Sequence, residues 1–127
     1  MTDDTSEDAV RAANARFYEA LERADLDLMA DVWVRSEDAI CAHPGRVPLR
    51  GWDQIWASWQ AILGSGGNPQ IIITEEQVTL RGSLAWVTAT ENMISDGHTG
   101  AATALNVFER RAEGWRMVVH HAAPVLG

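Results

Sequence analysis

Five side chains in this sequence stand where chemistry could be done. His43 ends a short apolar run, Ala39-Ile40-Cys41-Ala42, and is followed by Pro44 and Gly45. Glu91 sits in the row Ala85, Val87, Ala89, Glu91, Met93, where every other member is apolar. Asn106 is the polar member of the row Ala102, Ala104, Asn106, Phe108, and His120 and His121 lie side by side near the end of the chain. A histidine titrates near neutral pH and can both take and give a proton. A carboxylate on an apolar face is costly when ionised and unpaired, so Glu91 needs a partner, a raised pKa or a water-filled cavity. An asparagine amide can donate to developing negative charge on oxygen. This set suits proton transfer on a small organic molecule. Each member also has a plain structural use, as a core ion pair or a satisfied core histidine.

Other chemistries fit less well. His43, His121 and Glu91 could form a two-histidine, one-carboxylate metal set, but no His-x-His or His-x₃-His spacing supports one, and neither metal nor cofactor is expected. Cys41 lies mid-strand with no activating neighbour. His98 falls in a polar turn, and no phosphate-binding glycine motif is present.

The elements that must hold these residues can be read from periodicity. Thr5 reads as the cap of an amphipathic helix over roughly 6–24, with Val10, Ala13, Phe17, Leu21 and Ala24 recurring at helical spacing. Asp25 reads as the cap of a second, shorter helix carrying Leu26, Met29, Ala30 and Trp33. The His43-Pro44-Gly45 string ends a strand in a turn, and a loop with Pro48 and Gly51 follows. Trp52-Asp53 opens a third helix with Ile55, Trp56, Trp59, Ile62 and Leu63 on one side, closed by Gly64-Ser65-Gly66-Gly67-Asn68-Pro69. From Gln70 the period becomes two. Strands over Ile71–Leu80, Leu84–Ile94, Ala101–Arg111 and Trp115–Ala123 are separated by turn signals and read as an antiparallel meander. Helices followed by an antiparallel sheet define an α+β chain. On the last strand, strict alternation puts Trp115, Met117, Val119 and His121 on one face and sends His120 outward.

Composition sets outer bounds. The chain has 127 residues, 46% of them hydrophobic, enough for one domain over 1–127 with a real core. It carries 18 acids, ten arginines and no lysine, a net charge of −8. Residues 1–38 hold eleven acids and four arginines, so most of the charge belongs to the first helices. A nucleic-acid binder would need a basic face, and none is indicated. The single cysteine, the absence of a basic-then-apolar leader, and apolar runs far short of the ~20 residues of a membrane span lead to the expectation of a cytoplasmic protein with no membrane partner.

Several strings, in their order and spacing, carry a resemblance. Phe17-Tyr18-Glu19-Ala20-Leu21 with Ala24-Asp25-Leu26, Asp38-Ala39-Ile40-Cys41-Ala42-His43-Pro44 with Leu49-Arg50-Gly51, Ala104-Leu105-Asn106-Val107-Phe108-Glu109-Arg110, and Gly114-Trp115-Arg116-Met117-Val118-Val119-His120-His121-Ala122 together resemble the SnoaL-like, ketosteroid isomerase-like branch of the nuclear transport factor 2-like superfamily. The resemblance implies a cystatin-like cone, a curved sheet wrapped around the first helix to leave a deep pocket. Its members include isomerases, polyketide cyclases, dehydratases and non-catalytic binding proteins. Matched to the isomerase pattern, the base position falls on His43, the tyrosine position on Phe17, with Tyr18 one residue off, and the protonated-aspartate position on Asn106. Without the tyrosine donor, authentic steroid isomerisation is not expected. The expected site has His43 as acid/base, Asn106 as oxyanion donor and Glu91 or His121 as partner. Phe17, Trp33, Trp56, Trp59, Val87, Ala89, Met93 and Phe108 form its walls. The expected ligand is a small hydrophobic ring compound, either turned over or only bound. Trp86, Thr88, Thr90 and Asn92 form an outer face expected to join two copies as a homodimer.

Overall fold

The structure, a computed structural model, describes residues 6–66, 69–95 and 97–126. Helix α1 spans Glu7–Arg23. Ser6 caps it, its Oγ accepting the Ala9 amide at 3.1 Å, and Glu7 and Asp8 place negative charge at the positive end of the dipole. The expected cap, Thr5, lies outside the described residues, as do Gly67, Asn68 and Asp96 of two turn signals. Ala24 ends the helix in a left-handed conformation, φ 51°. The Asp25 carboxylate then caps α2, Leu26–Val32, through the Leu28 amide. Helix α3 spans Trp52–Gly64 behind Gly51, whose φ of 91° suits a residue without a Cβ.

Among the described residues six strands complete the fold: β1 Ile40–Ala42, β2 Leu49–Arg50, β3 Gln70–Arg81, β4 Leu84–Ser95, β5 His98–Arg111 and β6 Gly114–Pro124. β2 falls in the stretch read as loop, since two residues give no periodicity to detect, and β5 starts at His98, within the expected turn. The sheet order is β2-β1-β6-β5-β4-β3, antiparallel except for β1 against β6. That parallel pairing sets Cys41 beside His120, so the end of β1 meets the end of β6. The sheet curls around α1, which touches β3, β4 and β6. The chain is thus an α+β fold whose core, including Val10, Phe17, Met29, Ile55, Val87, Phe108 and Met117, fills the hollow of the curved sheet.

Two bulges bend the sheet. In β3 the register shifts between Thr74 and Gln77, with Glu75 at φ 56°. In β6, Val107 faces Val119 while Phe108 faces Met117, which leaves Val118 as an extra residue. A bulge opposes two residues to one and resets the alternation of everything beyond it. The sequence-based assignment of the two histidines is therefore reversed. His120 is buried, 3% exposed, and His121 lies exposed on the convex face. No helix among the described residues is long and apolar enough to cross a membrane.

Candidate functional site

The inner face of the sheet and the buried side of α1 enclose a chain of polar groups in an otherwise apolar core. Arg11 donates to Glu76 at 2.6 Å, and Asn14 donates to the other oxygen of that carboxylate at 2.9 Å. Asn106 donates one amide hydrogen to Asn14 Oδ1 at 2.8 Å and the other to Tyr18 Oη at 3.0 Å. The Tyr18 hydroxyl donates to Glu91 Oε2 at 2.7 Å. His120 Nδ1 lies 2.6 Å from Asn106 Oδ1.

These partners fix the protons. Both hydrogens of the Asn106 amide are committed, so its oxygen must accept, and His120 carries its proton on Nδ1. The Nε2 lone pair of His120 has no hydrogen-bond partner among the described residues. Burial pushes the imidazole down to about 3, with His43 and His121 adding to the shift, so His120 is neutral at physiological pH. The same accounting corrects the role expected of Asn106. It has no free hydrogen for an oxyanion, and it holds His120.

Glu91 is the buried carboxyl that the alternation of β4 singled out, 4% exposed. Burial raises its pKa, and the Tyr18 bond opposes this in part. Tyr18 itself is pushed well above the ordinary phenol range by burial and by the carboxylate it touches. Tyr18 is thus a site residue that the helical pattern passed over. The sheet wraps α1 so far that neighbouring positions 17 and 18 are both buried. Phe17, at the position matched to the isomerase tyrosine, packs as a ring instead, with centroids 4.6 Å from His120 and 5.6 Å from Trp59.

A cavity of ≈ 210 Å³ opens beside these groups. His43, Glu91 and His120 supply its titratable groups, and Leu21, Trp59, Ile71 and Met93 are among its apolar walls. His43 comes from the end of β1. Its Nε2 lies 3.0 Å from Ser58 Oγ on α3 and 3.8 Å from Cys41 Sγ. Ser58 gives its own hydrogen to the Ile55 carbonyl, so His43 donates from Nε2. Burial and the nearby Arg46 charge lower the His43 pKa. Cys41, buried, is pushed up to about 12 and is no nucleophile.

The expected site residues are only partly brought together. His43, Glu91, Trp59 and Met93 line the cavity. Val87, Ala89 and Phe108 share the inner face but are packed into the core below it. Trp33 and Trp56 do not reach the cavity. Trp56 stacks on Trp52 at 5.3 Å, and Trp33 packs between Phe17 and Trp52, held by a bridge to Met117. Trp33 sits at the C-terminal end of α2, away from the hollow, and on α3 Trp59 takes the face toward it while Trp56 is half-buried against Trp52. His121, outside the sheet, cannot join His43 and Glu91, and no metal-holding cluster of His, Cys, Asp or Glu occurs among the described residues.

An α+β cone with a polar network threading its core and a cavity beside it is the architecture of nuclear transport factor 2-like proteins. The SnoaL-like domain family matches residues 10–126, and the chain belongs to it; members of that family are often isomerases or dehydratases. Solved structures agree. A nuclear transport factor 2-like protein from Streptomyces avermitilis, provisionally described as a dehydratase, is 35% identical with a TM-score of 0.92, covering 99% of this chain and 100% of that one. A protein from Thiobacillus denitrificans, provisionally described as a calcium/calmodulin-dependent protein kinase type II association domain, is 34% identical with a TM-score of 0.83, covering 91% of this chain and 94% of that one. A cystatin-like-fold protein from Novosphingobium aromaticivorans, 22% identical with a TM-score of 0.74 over 94% of this chain and 82% of that one, shares the fold. Among curated proteins, the F-box protein SKIP8 of Arabidopsis thaliana is 26% identical over 118 residues. That match takes in 93% of this chain, which spans about half, 50%, of the relative's length.

Proposed function

We propose that the protein is an acid–base enzyme that removes water from, or shifts a double bond in, a small ring-bearing hydroxy or carbonyl compound. The observation that carries this reading is the pairing, in one cavity, of a neutral His120 with an open Nε2 and a Glu91 carboxyl of raised pKa. Opposite shifts of this kind move the acid toward its protonated form and the base toward its neutral form. In a dehydration, His120 Nε2 takes the proton from the carbon beside the carbonyl as the double bond forms. Glu91 gives its proton to the departing hydroxyl, which leaves as water. The imidazolium and carboxylate so formed offset one another's charge, and return of the proton from His120 to Glu91 restores the site. The dehydratase description of the Streptomyces relative points the same way.

Size narrows the substrate. A 210 Å³ cavity exceeds the ~150 Å³ that admits a benzene ring and falls below the ~300 Å³ at which pockets for drug-sized ligands begin. It suits one ring, not a steroid. The test is a panel of monocyclic β-hydroxy ketones, led by a β-hydroxycyclohexanone, followed by enone absorbance. Turnover should fall roughly 100-fold or more in Glu91→Gln and in His120→Gln, with binding, read by tryptophan fluorescence, retained. Equal turnover in either variant overturns the assignment. Saturable quenching with no enone favours the alternative, a module that only binds.

A second reading concerns assembly. Ile72, Leu84, Ile94 and Leu105 are each at least 40% exposed on the convex face around Trp86. Taken with the association-domain description of the Thiobacillus relative, this supports a homodimer joined through that face. A dimeric mass by light scattering, lost in Leu105→Arg, is the expected result; a monomeric wild type refutes it.

A further inference from the structure

The hollow does not end at His43. A second one, of ≈ 490 Å³, shares His43 and Ile62 with the first. The two differ in character. The inner cavity is walled mainly by apolar side chains, and its titratable groups are held neutral or toward neutrality. Among the described residues, the outer hollow is lined by one formally charged side chain, Arg46, and by no carboxylate, in a chain that carries 18 acids.

Local sequence puts that cation there. In His43-Pro44-Gly45-Arg46, the Arg46 amide donates to the His43 carbonyl at 3.0 Å, and Gly45 has φ 78°. Proline in the second place and a positive-φ glycine in the third make a type II turn, which folds Arg46 back beside His43. Arg46, like Arg35, Arg50, Arg81 and Arg110, enters no ion pair among the described residues, whereas Arg11, Arg16, Arg23, Arg111 and Arg116 have carboxylate partners; of the unpaired five, only Arg46 lines this hollow. Around it the lining is mixed: Gln54, Ser58 and Ser65 are polar, and Val47 and Ile62 are apolar side chains 79% and 39% exposed.

We propose that the outer hollow is the second half of the ligand site and takes the anionic end, a carboxylate on a short flexible stem, of a ligand whose ring fills the inner cavity. The proposal rests on the inner cavity being the ring site, as argued above. The inner cavity has room for the ring alone, and an anion driven into it would lose its hydration with no cation to replace it. Arg46, exposed in the turn beside His43, offers a planar donor fork matched to a carboxylate. The ligand is thereby oriented ring-in and anion-out. The atoms at the junction of ring and stem pass His43, and the ring carbons meet Glu91 and His120.

Two probes separate the halves: phenylbutanoate, and its neutral analogue phenylbutanamide, each titrated against the full chain by tryptophan fluorescence with calorimetry. Wild type should bind the carboxylate roughly fivefold tighter than the amide, in line with a partly exposed ion pair, and less selectively at high salt. Arg46→Gln should erase that preference and leave the amide's affinity unchanged. Met93→Trp, which fills the inner cavity, should weaken both probes. Equal binding of the two probes by wild type, or a preference that survives Arg46→Gln, overturns the anionic subsite while the ring site stands. Binding unaffected by Met93→Trp places the probes elsewhere and overturns the two-part site. If neither probe binds, the ring site and the subsite fall together.

Discussion

The Nδ1–H of His120 meets the side-chain oxygen of Asn106 across 2.6 Å, and that bond determines which end of the imidazole faces the cavity. It is locked from behind, because Asn106 is held by Asn14 and Tyr18, and Asn14 by Glu76. Nitrogen-15 spectra of the histidines should therefore show His120 as a single Nδ1–H tautomer at neutral pH. Asn106→Leu should release the tautomer and cost about 3 kcal/mol of stability, since it leaves buried donors and acceptors on His120, Asn14 and Tyr18 unmatched. Chemical denaturation measures the loss. A wild-type spectrum dominated by Nε2–H would overturn the proton assignment.

Stability should fall on the acid side. His120 has its pKa lowered from 6.5 to about 3, and that of His43 is lowered as well. An unfolded histidine takes up a proton below about 6.5, while the folded chain resists, so the unfolded state binds more protons as pH drops. The native state should lose about 1.4 kcal/mol per pH unit on account of His120 as pH falls from 6.5 toward about 3, and His43 adds to the loss in the same direction. Glu91, whose pKa is raised, acts in the opposite sense: its neutral form is favoured by folding, so its contribution is complete in acid and declines as pH rises past the ordinary carboxylate range. Denaturant midpoints across pH 4–7 check the net slope, and His120→Gln should flatten it.

Tyr18→Phe tests the link between helix and sheet. It removes the donor to Glu91 and the acceptor of Asn106 while keeping the ring that packs edge-on to Phe17 at 4.9 Å. A cost of about 1–3 kcal/mol is expected. The Glu91 pKa should rise further, because the Tyr18 bond is what holds it down. Carboxyl carbon-13 titration of Glu91 reads that shift directly, and an unchanged value would show that the bond carries no weight.

Much of this site could be read from periodicity alone. Glu91 stood out because a regular strand has period two and its row was apolar. His43 stood out because Pro44 and Gly45 mark the end of its strand. The failures have local physical causes. Tyr18 was invisible because a helix enclosed by a curved sheet buries more than a single stripe. Trp33 and Trp56 share the apolar character of Trp59, and only the placement of α2 and α3 decides which of the three meets the cavity. The two-residue β2 is too short to have a pattern. The histidines on β6 were exchanged because the Val118 bulge leaves no mark in residue type: valine is at home in either half of the strand.

That exchange yields the most direct discrimination, since His120 and His121 are neighbours in sequence and strangers in the fold. His120→Ala removes a buried ring packed on Phe17 and leaves the Asn106 oxygen without its donor. It should destabilise by about 3 kcal/mol through cavity and unmet hydrogen bond together. His121→Ala changes an exposed side chain on the convex face and should stay within about 0.5 kcal/mol. Turnover of any hydroxy-ketone substrate should follow the same split, lost in the first variant and kept in the second. If β6 alternated without the bulge, the ranking would invert, and paired denaturation curves are enough to tell the two apart.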